Sequence, residues 1–183
     1  MKSKVKLIKS QKIYTGNISL RLDKFKLNSK IIEKEIVEHL PSIGIIPVLN
    51  NSDILFVTQY RHAVGKNILE IPAGKIERDE TAEQAALREM REETGYTGKL
   101  SPVMKWYLAP GYDTELMHIF VATNLKKIKK RPQDLDDDEN IIVKRMRYSS
   151  AIKKCINGEF QDAKTVAALL VYAKTLEIEG LST

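Results

Sequence analysis

The chain is poor in several residue types, and each scarcity narrows what it can be. It has one cysteine, Cys155, in 183 residues, so no internal disulfide can form and the chain suits a reducing compartment. No apolar run approaches the ~20 residues that a membrane helix needs. The first ten residues alternate lysine with valine, leucine and isoleucine and lack the unbroken apolar core of a secretion signal, so a cytoplasmic protein is expected. Its three histidines, His39, His62 and His118, are not spaced as metal ligands and read as surface or structural residues. No internal repeat or low-complexity tract is present. Aromatic residues make up 7% of the chain. None is interleaved with the densest basic patch (Lys126, Lys127, Lys129, Lys130 and Arg131), which therefore reads as a solvated loop rather than a base-stacking surface.

What remains is the length and composition of one soluble domain, alone or with a small appendage. Hydrophobic residues make up 43% and charged residues 30%, enough for a buried core under a charged surface. The net charge of +6 is compatible with nucleic acid, and equally with a small polyanion such as a diphosphate.

Partial period-two alternation marks strands over residues 3–10 and 17–26, with Ile18, Leu20 and Leu22 on one face of the second. A short strand follows at 33–39. Residues 45–49 and 54–60 read as a hairpin around the turn signal Asn50-Asn51-Ser52-Asp53. After a loop at 65–67, a helix is expected over 81–94. Thr81 and Gln84 form its capping box, and Gly95 is its stop. Strands are expected at 103–108, 116–123 and 141–147, with an acidic loop at 131–140. A short helix capped by Ser149 or Ser150 ends before Gly158. A last helix spans 163–176, with Val166, Leu169, Leu170 and Ala173 on one face. This order argues a mixed α/β layered domain.

The helix over 81–94 carries the chemistry. Glu89, Glu92 and Glu93 stand at i, i+3 and i+4, so three carboxylates share one face within a turn, where like charges repel by a few tenths of a kcal/mol per pair. A divalent cation converts that repulsion into chelation, because hard cations choose oxygen ligands. Arg88 and Arg91 are interleaved, and Arg88 reaches Glu92 at i+4 and can steer the carboxylate rotamers. Taken alone, such a trio is more often an ordinary solvated helix face. It is not alone, since Gly74, Glu80, Arg88-Glu89, Glu92-Glu93 and Gly95 recur at fixed intervals, with the bulky Tyr96 closing the series. Seven such identities arise by chance about once in 10⁸ starting positions at roughly 7% usage each.

This spacing resembles the Nudix box. The flanking segments Gln59-Tyr60-Arg61, Leu69-Glu70-Ile71-Pro72-Ala73-Gly74, Ala109-Pro110-Gly111 with Glu115, and Asp137-Asp138-Glu139 resemble the ADP-ribose pyrophosphatase branch, as do Gly158-Glu159-Phe160 and Asp162-Ala163-Lys164-Thr165. Ala109 stands where serine is common in that branch. The resemblance implies a Nudix-type α/β/α sandwich over residues 41–183. It also implies a small antiparallel sheet over residues 1–40 that helps to form a homodimer.

By residue matching, the Ala73 carbonyl, Glu89 and Glu93 would hold Mg²⁺ (or Mn²⁺), with Glu92 and Arg88 beside them in the catalytic group. Arg61, Glu70, Gly111 and Glu115 would surround the substrate. Water would attack one phosphorus of the diphosphate, with Glu139 or Asp137 as general base; the shorter side chain at 137 favours Glu139. The expected reaction is cleavage of ADP-ribose to AMP and ribose 5-phosphate, with a nucleotide sugar such as GDP-mannose as the alternative substrate. A non-catalytic module binding nucleotide or nucleic acid is disfavoured, because every box glutamate is retained.

Overall fold

The computed structural model describes residues 5–50, 52–129 and 141–180. They fall into two units, Met1–Pro41 with Trp106–Met117, and Ser42–Lys105 with His118–Thr183.

The first unit is built on β1 (Val5–Thr15), β2 (Ser19–Leu27) and β3 (Lys30–Glu38), an antiparallel sheet in the order β1-β2-β3. β1 and β3 run longer than the alternation alone suggests, while β2 starts and ends slightly later. Asn28, at a left-handed φ of 55°, makes the tight β2–β3 turn that lets both strands continue to its edge. β1 is exposed along its whole length. The 109–115 loop is tied to the end of β3. The Val37 N–H donates to the Tyr112 carbonyl at 2.7 Å, the Thr114 N–H donates to the Val37 carbonyl at 3.1 Å, and the Thr114 hydroxyl accepts from the His39 N–H at 3.0 Å.

The second unit is a sheet between helices. Its strands are β4 (Ser42–Leu49), β5 (Asp53–Arg61), β6 (Lys66–Glu70), β7 (Ala73–Lys75), β8 (Tyr96–Tyr107), β9 (Leu116–Lys127) and β10 (Ile142–Arg147), with the ends of β8 and β9 grouped in the first unit. The main order is β10-β5-β4-β9-β8. β4 and β5 pair at their hairpin end, Val48 with Ile54 and Leu49 with Asp53. Further along, β6 pairs with β5 (Val57 with Glu70) and β7 pairs with β4 (Ile43 with Gly74). The 66–75 segment therefore lies in a split between two neighbouring strands. The first part of this segment, read from sequence as a loop, is strand because β5 supplies the partner.

Both faces of β4 are covered. On one face Ile43 and Ile45 pack with Ala85, Ala86 and Met90 of the box helix and with Phe120 and Ala122 of β9. Strand alternation puts Ile46 and Val48 on the other face, with Ile54 and Phe56 of the paired strand. There Phe56 meets Phe160 at a ring separation of 5.3 Å.

The helices are α1 (Ala82–Glu89), continued by a π-helical turn over Met90–Thr94, α2 (Tyr148–Ile156) and α3 (Ala163–Ile178). α2 begins at Tyr148 rather than at a serine cap. The Tyr148 N–H donates to the Ser52 carbonyl at 2.8 Å, so the β4–β5 turn replaces a side-chain cap. Of the expected stripe on α3, Leu169 is buried, Val166 and Ala173 are half-buried and Leu170 is exposed; Lys164, Thr165 and Ala168 are buried beside Leu169. No helix among the described residues is long and apolar enough to cross a membrane.

Candidate active site

The box helix starts where its caps dictate. The Thr81 hydroxyl accepts from the Gln84 N–H at 3.2 Å, and the Gln84 side chain accepts from the Thr81 N–H at 2.8 Å. Burial of Ala85, Ala86 and Met90 anchors one face, so the charged residues of the last turn project from the other. Arg88 is the hub of that face. Its Nε and Nη2 donate to the two oxygens of Glu80, both at 3.0 Å. Nη1 donates to Glu89 at 2.8 Å and to Glu92 at 3.1 Å, and Nη2 also donates to the Lys75 carbonyl at 3.0 Å. The Glu80 carboxylate, with support from Glu89, pushes the guanidinium further up from its already high pKa. Arg88 in turn holds Glu80 below the usual carboxylate range. Two carboxylates that would repel are thus bridged by one cation.

Beyond Glu89 the helix widens into the π turn, a local irregularity common at functional sites. The turn ends at Gly95, whose left-handed φ of 75° lets its N–H donate to the Arg91 carbonyl at 3.0 Å. Glu93 is buried in this turn, and its Oε2 accepts from the Ala73 N–H at 3.1 Å. Gly74 is required by a close approach and not by a left-handed turn. A Cβ there would lie 1.9 Å from Oε1 of Glu89. The box glutamates and the 73–74 peptide therefore interlock, and a carbonyl with several carboxylates is a hard oxygen-donor set of the kind that suits a divalent cation.

A second network joins the preceding strand to α3. Glu70 is 2% exposed. Its two oxygens accept from Arg61 Nε and Nη2, both at 2.8 Å, and one also accepts from Lys164 Nζ. Lys164 lies 3.0 Å from Asp162 as well. Asp162 caps α3 by accepting from the Thr165 N–H at 3.0 Å, and the Thr165 hydroxyl accepts from the Ile71 N–H at 2.9 Å. Burial alone would raise the Glu70 pKa; the Arg61 hydrogen bonds and the Lys164 charge outweigh it and hold the group below the usual range.

Of the residues expected from sequence, Arg61, Glu70, Ala73, Arg88, Glu89, Glu92 and Glu93 lie in the second unit: Arg88 holds Glu89 and Glu92, Glu93 holds Ala73, and Glu70 holds Arg61. Gly111 and Glu115 belong to the first, where Glu115 Oε2 lies 3.7 Å from His39 Nδ1. Asp137 and Glu139 lie outside the described residues. Among the described residues no three histidine, cysteine, aspartate or glutamate side chains form a ready metal cluster; Glu89 and Glu92 share Arg88 instead. Sequence reasoning assigned no role to Glu80, although the box spacing marked it. It also assigned none to Lys164, Asp162 and Thr165, whose only sign was the motif at the start of α3. Cys155 is buried and its thiol is pushed up by burial, which fits no nucleophile.

The NUDIX domain model matches residues 38–169. The chain is 37% identical over 167 residues to the ADP-ribose pyrophosphatase of Bacillus subtilis, covering 90% of each protein. It is 30% identical over 182 residues to the GDP-mannose pyrophosphatase of Salmonella arizonae, covering 92% of this chain and 95% of that one. A solved structure described as an ADP compounds hydrolase superposes with a TM-score of 0.84 at 20% identity, covering 98% of this chain and 97% of that one, which shows the shared fold. Members of the family generally use divalent metal ions. On the domain match and on the identity to relatives over nearly its whole length, the chain belongs to the Nudix hydrolase family, in the ADP-ribose pyrophosphatase branch.

Proposed function

We propose that the protein hydrolyses the diphosphate of ADP-ribose, releasing AMP and ribose 5-phosphate, with Mg²⁺ as the working cation. The observation that carries this reading is the interlock at Ala73 and Gly74. Glu93 is hydrogen-bonded to the Ala73 N–H, and the Glu89 carboxylate fills the space a side chain at 74 would take. The Ala73 carbonyl, Glu89 and Glu93 are the candidate ligands, with Glu92 beside them. A divalent cation there would supply charge neutralisation for the diphosphate and a lowered pKa for the attacking water.

Arg61 projects to solvent and offers its unused N–H groups to a phosphate. Arg88 orients Glu89 and Glu92. Gly111 and Glu115 are the further candidates for substrate contact, and Glu139, with Asp137 as the second candidate, takes the proton from water. The choice of ADP-ribose is supported by the relative in Bacillus subtilis. The similarity to the Salmonella enzyme favours GDP-mannose as the second reading. The protein acts in the cytoplasm as a homodimer. The lone buried cysteine supports the first, and the exposed Val5, Leu7, Ile13 and Tyr14 of β1 support a second copy as their cover.

The test is product analysis with ADP-ribose, GDP-mannose and a nucleoside triphosphate, each with and without Mg²⁺. AMP and ribose 5-phosphate released from ADP-ribose only with the cation are expected. Preferential cleavage of GDP-mannose would move the substrate, and no cleavage of any would refute the assignment.

A further inference from the structure

The buried Lys164 lies outside every role derived so far. Its side chain is 10% exposed, while that of Arg61, the other cation on Glu70, is 41% exposed. Lysine is rarely buried to this extent unless it is paired, and here it pairs with both Glu70 and Asp162. We propose that Lys164 is a positioning residue for the reaction: through Glu70 it fixes the Arg61 guanidinium side-on, so that the outer edge of that guanidinium meets an anionic phosphate of the substrate. The proposal rests on the reading that Arg61 contacts the diphosphate.

Three observations support it. The first is geometric. Glu70 takes the Nε and Nη2 side of Arg61. A guanidinium has five N–H donors in a planar fork, so a side-on carboxylate leaves the Nη1–Nη2 edge as a second pair of parallel donors. That edge matches two oxygens of a phosphate.

The second is the protonation state of the grip. A carboxyl buried as deeply as Glu70 would turn neutral if it stood alone. A neutral acid has one oxygen carrying a proton and cannot accept both Arg61 bonds as the carboxylate does. Lys164 donates to Oε2 of Glu70, the oxygen that also accepts from Arg61 Nη2, and its charge helps to keep Glu70 ionised.

The third is charge. Arg61 and Lys164 carry two positive charges, facing the negative charges of Glu70 and Asp162 and, for Arg61, of Glu93 as well. Without Lys164 the excess of negative charge would grow by one, and Glu70 would answer to Arg61 alone. The guanidinium would then present a neutralised face to an incoming diphosphate. α3 also fixes the register of this device, because Thr165 accepts from the Ile71 N–H while Asp162 caps the same turn. Lys164 itself need not touch the substrate, since its ammonium is occupied by two carboxylates.

The test is a double-mutant cycle on the full-length protein, with ADP-ribose and Mg²⁺, reading KM and kcat separately. Arg61→Ala should raise KM about tenfold, the size of a lost charge-assisted contact. Lys164→Met should raise KM several-fold, with the change falling on KM rather than on kcat, and Lys164→Arg should restore most of it. In the Arg61→Ala background, Lys164→Met should add less than about twofold, because its effect passes through Arg61. Should Lys164→Met not fold, the Glu70→Gln/Lys164→Met pair removes both buried charges together and replaces it in the same cycle; Arg61→Ala should then add less than about twofold on that pair.

Full additivity of the two changes would overturn the proposal while leaving Arg61 as the phosphate contact. It would mean that Lys164 acts independently, by touching substrate or by supporting the fold. An unchanged KM in Arg61→Ala would overturn both the contact and the positioning role.

Discussion

Arg88, within the box, and Arg61, upstream of it, are held in opposite ways. Arg88 has all of its nitrogens engaged, with three glutamates and a backbone carbonyl around it. Among the described residues Arg61 donates hydrogen bonds to Glu70 alone, which grips one side of its guanidinium. A saturated guanidinium has nothing left to offer a ligand, so Arg88 works on the glutamates it holds. A half-saturated one keeps donors for an anion, so Arg61 recognises rather than scaffolds. The same residue type therefore does two jobs, and the number of carboxylates around it decides which.

Substitutions can break this contrast. The largest effect is expected from Arg88→Ala, which frees Glu80, Glu89 and Glu92 at once and should lower kcat by roughly 10–100-fold, the range for partners that orient metal ligands. Arg88→Lys should rescue little, because a lysine cannot reproduce the planar fork. Steady-state kinetics would check this, and a change confined to KM would equate the two arginines and end the comparison.

Next comes Gly74→Ala. Its backbone has no left-handed strain to relieve, so the added methyl acts only by displacing the Glu89 carboxylate. We expect kcat to fall about tenfold with the melting temperature nearly unchanged. Normal turnover in a folded variant would remove Glu89 from the site.

Acid should sharpen the comparison from the other side. Glu70 and Glu80 both have pKa values below the ordinary 4.5 in the folded protein. Groups depressed on folding stabilise above their unfolded pKa, and that contribution is lost as pH falls through the folded value. Urea midpoints should therefore decline below pH 4.5, and Glu80→Gln and Glu70→Gln should each flatten the slope. An unchanged slope in both variants would place the acid sensitivity elsewhere. The smallest effect is expected from Lys129→Ala. Read as part of a solvated basic loop, Lys129 should leave KM and kcat within about twofold. A large loss of turnover would make that loop part of substrate binding.

The candidate site was legible in sequence where its signals are local. Thr81 and Gln84 cap a helix three residues apart, Gly95 stops it, and Glu80, Arg88, Glu89, Glu92 and Glu93 stand at intervals that helical geometry turns into one face. The strands of the split sheet were less legible. Residues 66 and 67 look like a loop because nothing near them in sequence shows that β5 lies alongside. The caps of α2 were misjudged for a similar reason: Ser149 and Ser150 are good cap residues, yet the Ser52 carbonyl, distant in sequence, sets the helix start.

What the sequence determined by itself is the family, the helix that carries the carboxylates and the kind of chemistry they suit. These follow from residue spacing within a few turns, where backbone geometry alone fixes which side chains meet. Only the tertiary structure decided that Gly74 makes room for Glu89, that the helix loosens into a π turn before Gly95, and that Lys164 is buried against Glu70 while Leu170 on the same helix is exposed. The physical reason is distance along the chain. Lys164 and Glu70 are 94 residues apart, and a charge buried by such a partner obeys no periodicity that the local sequence can display.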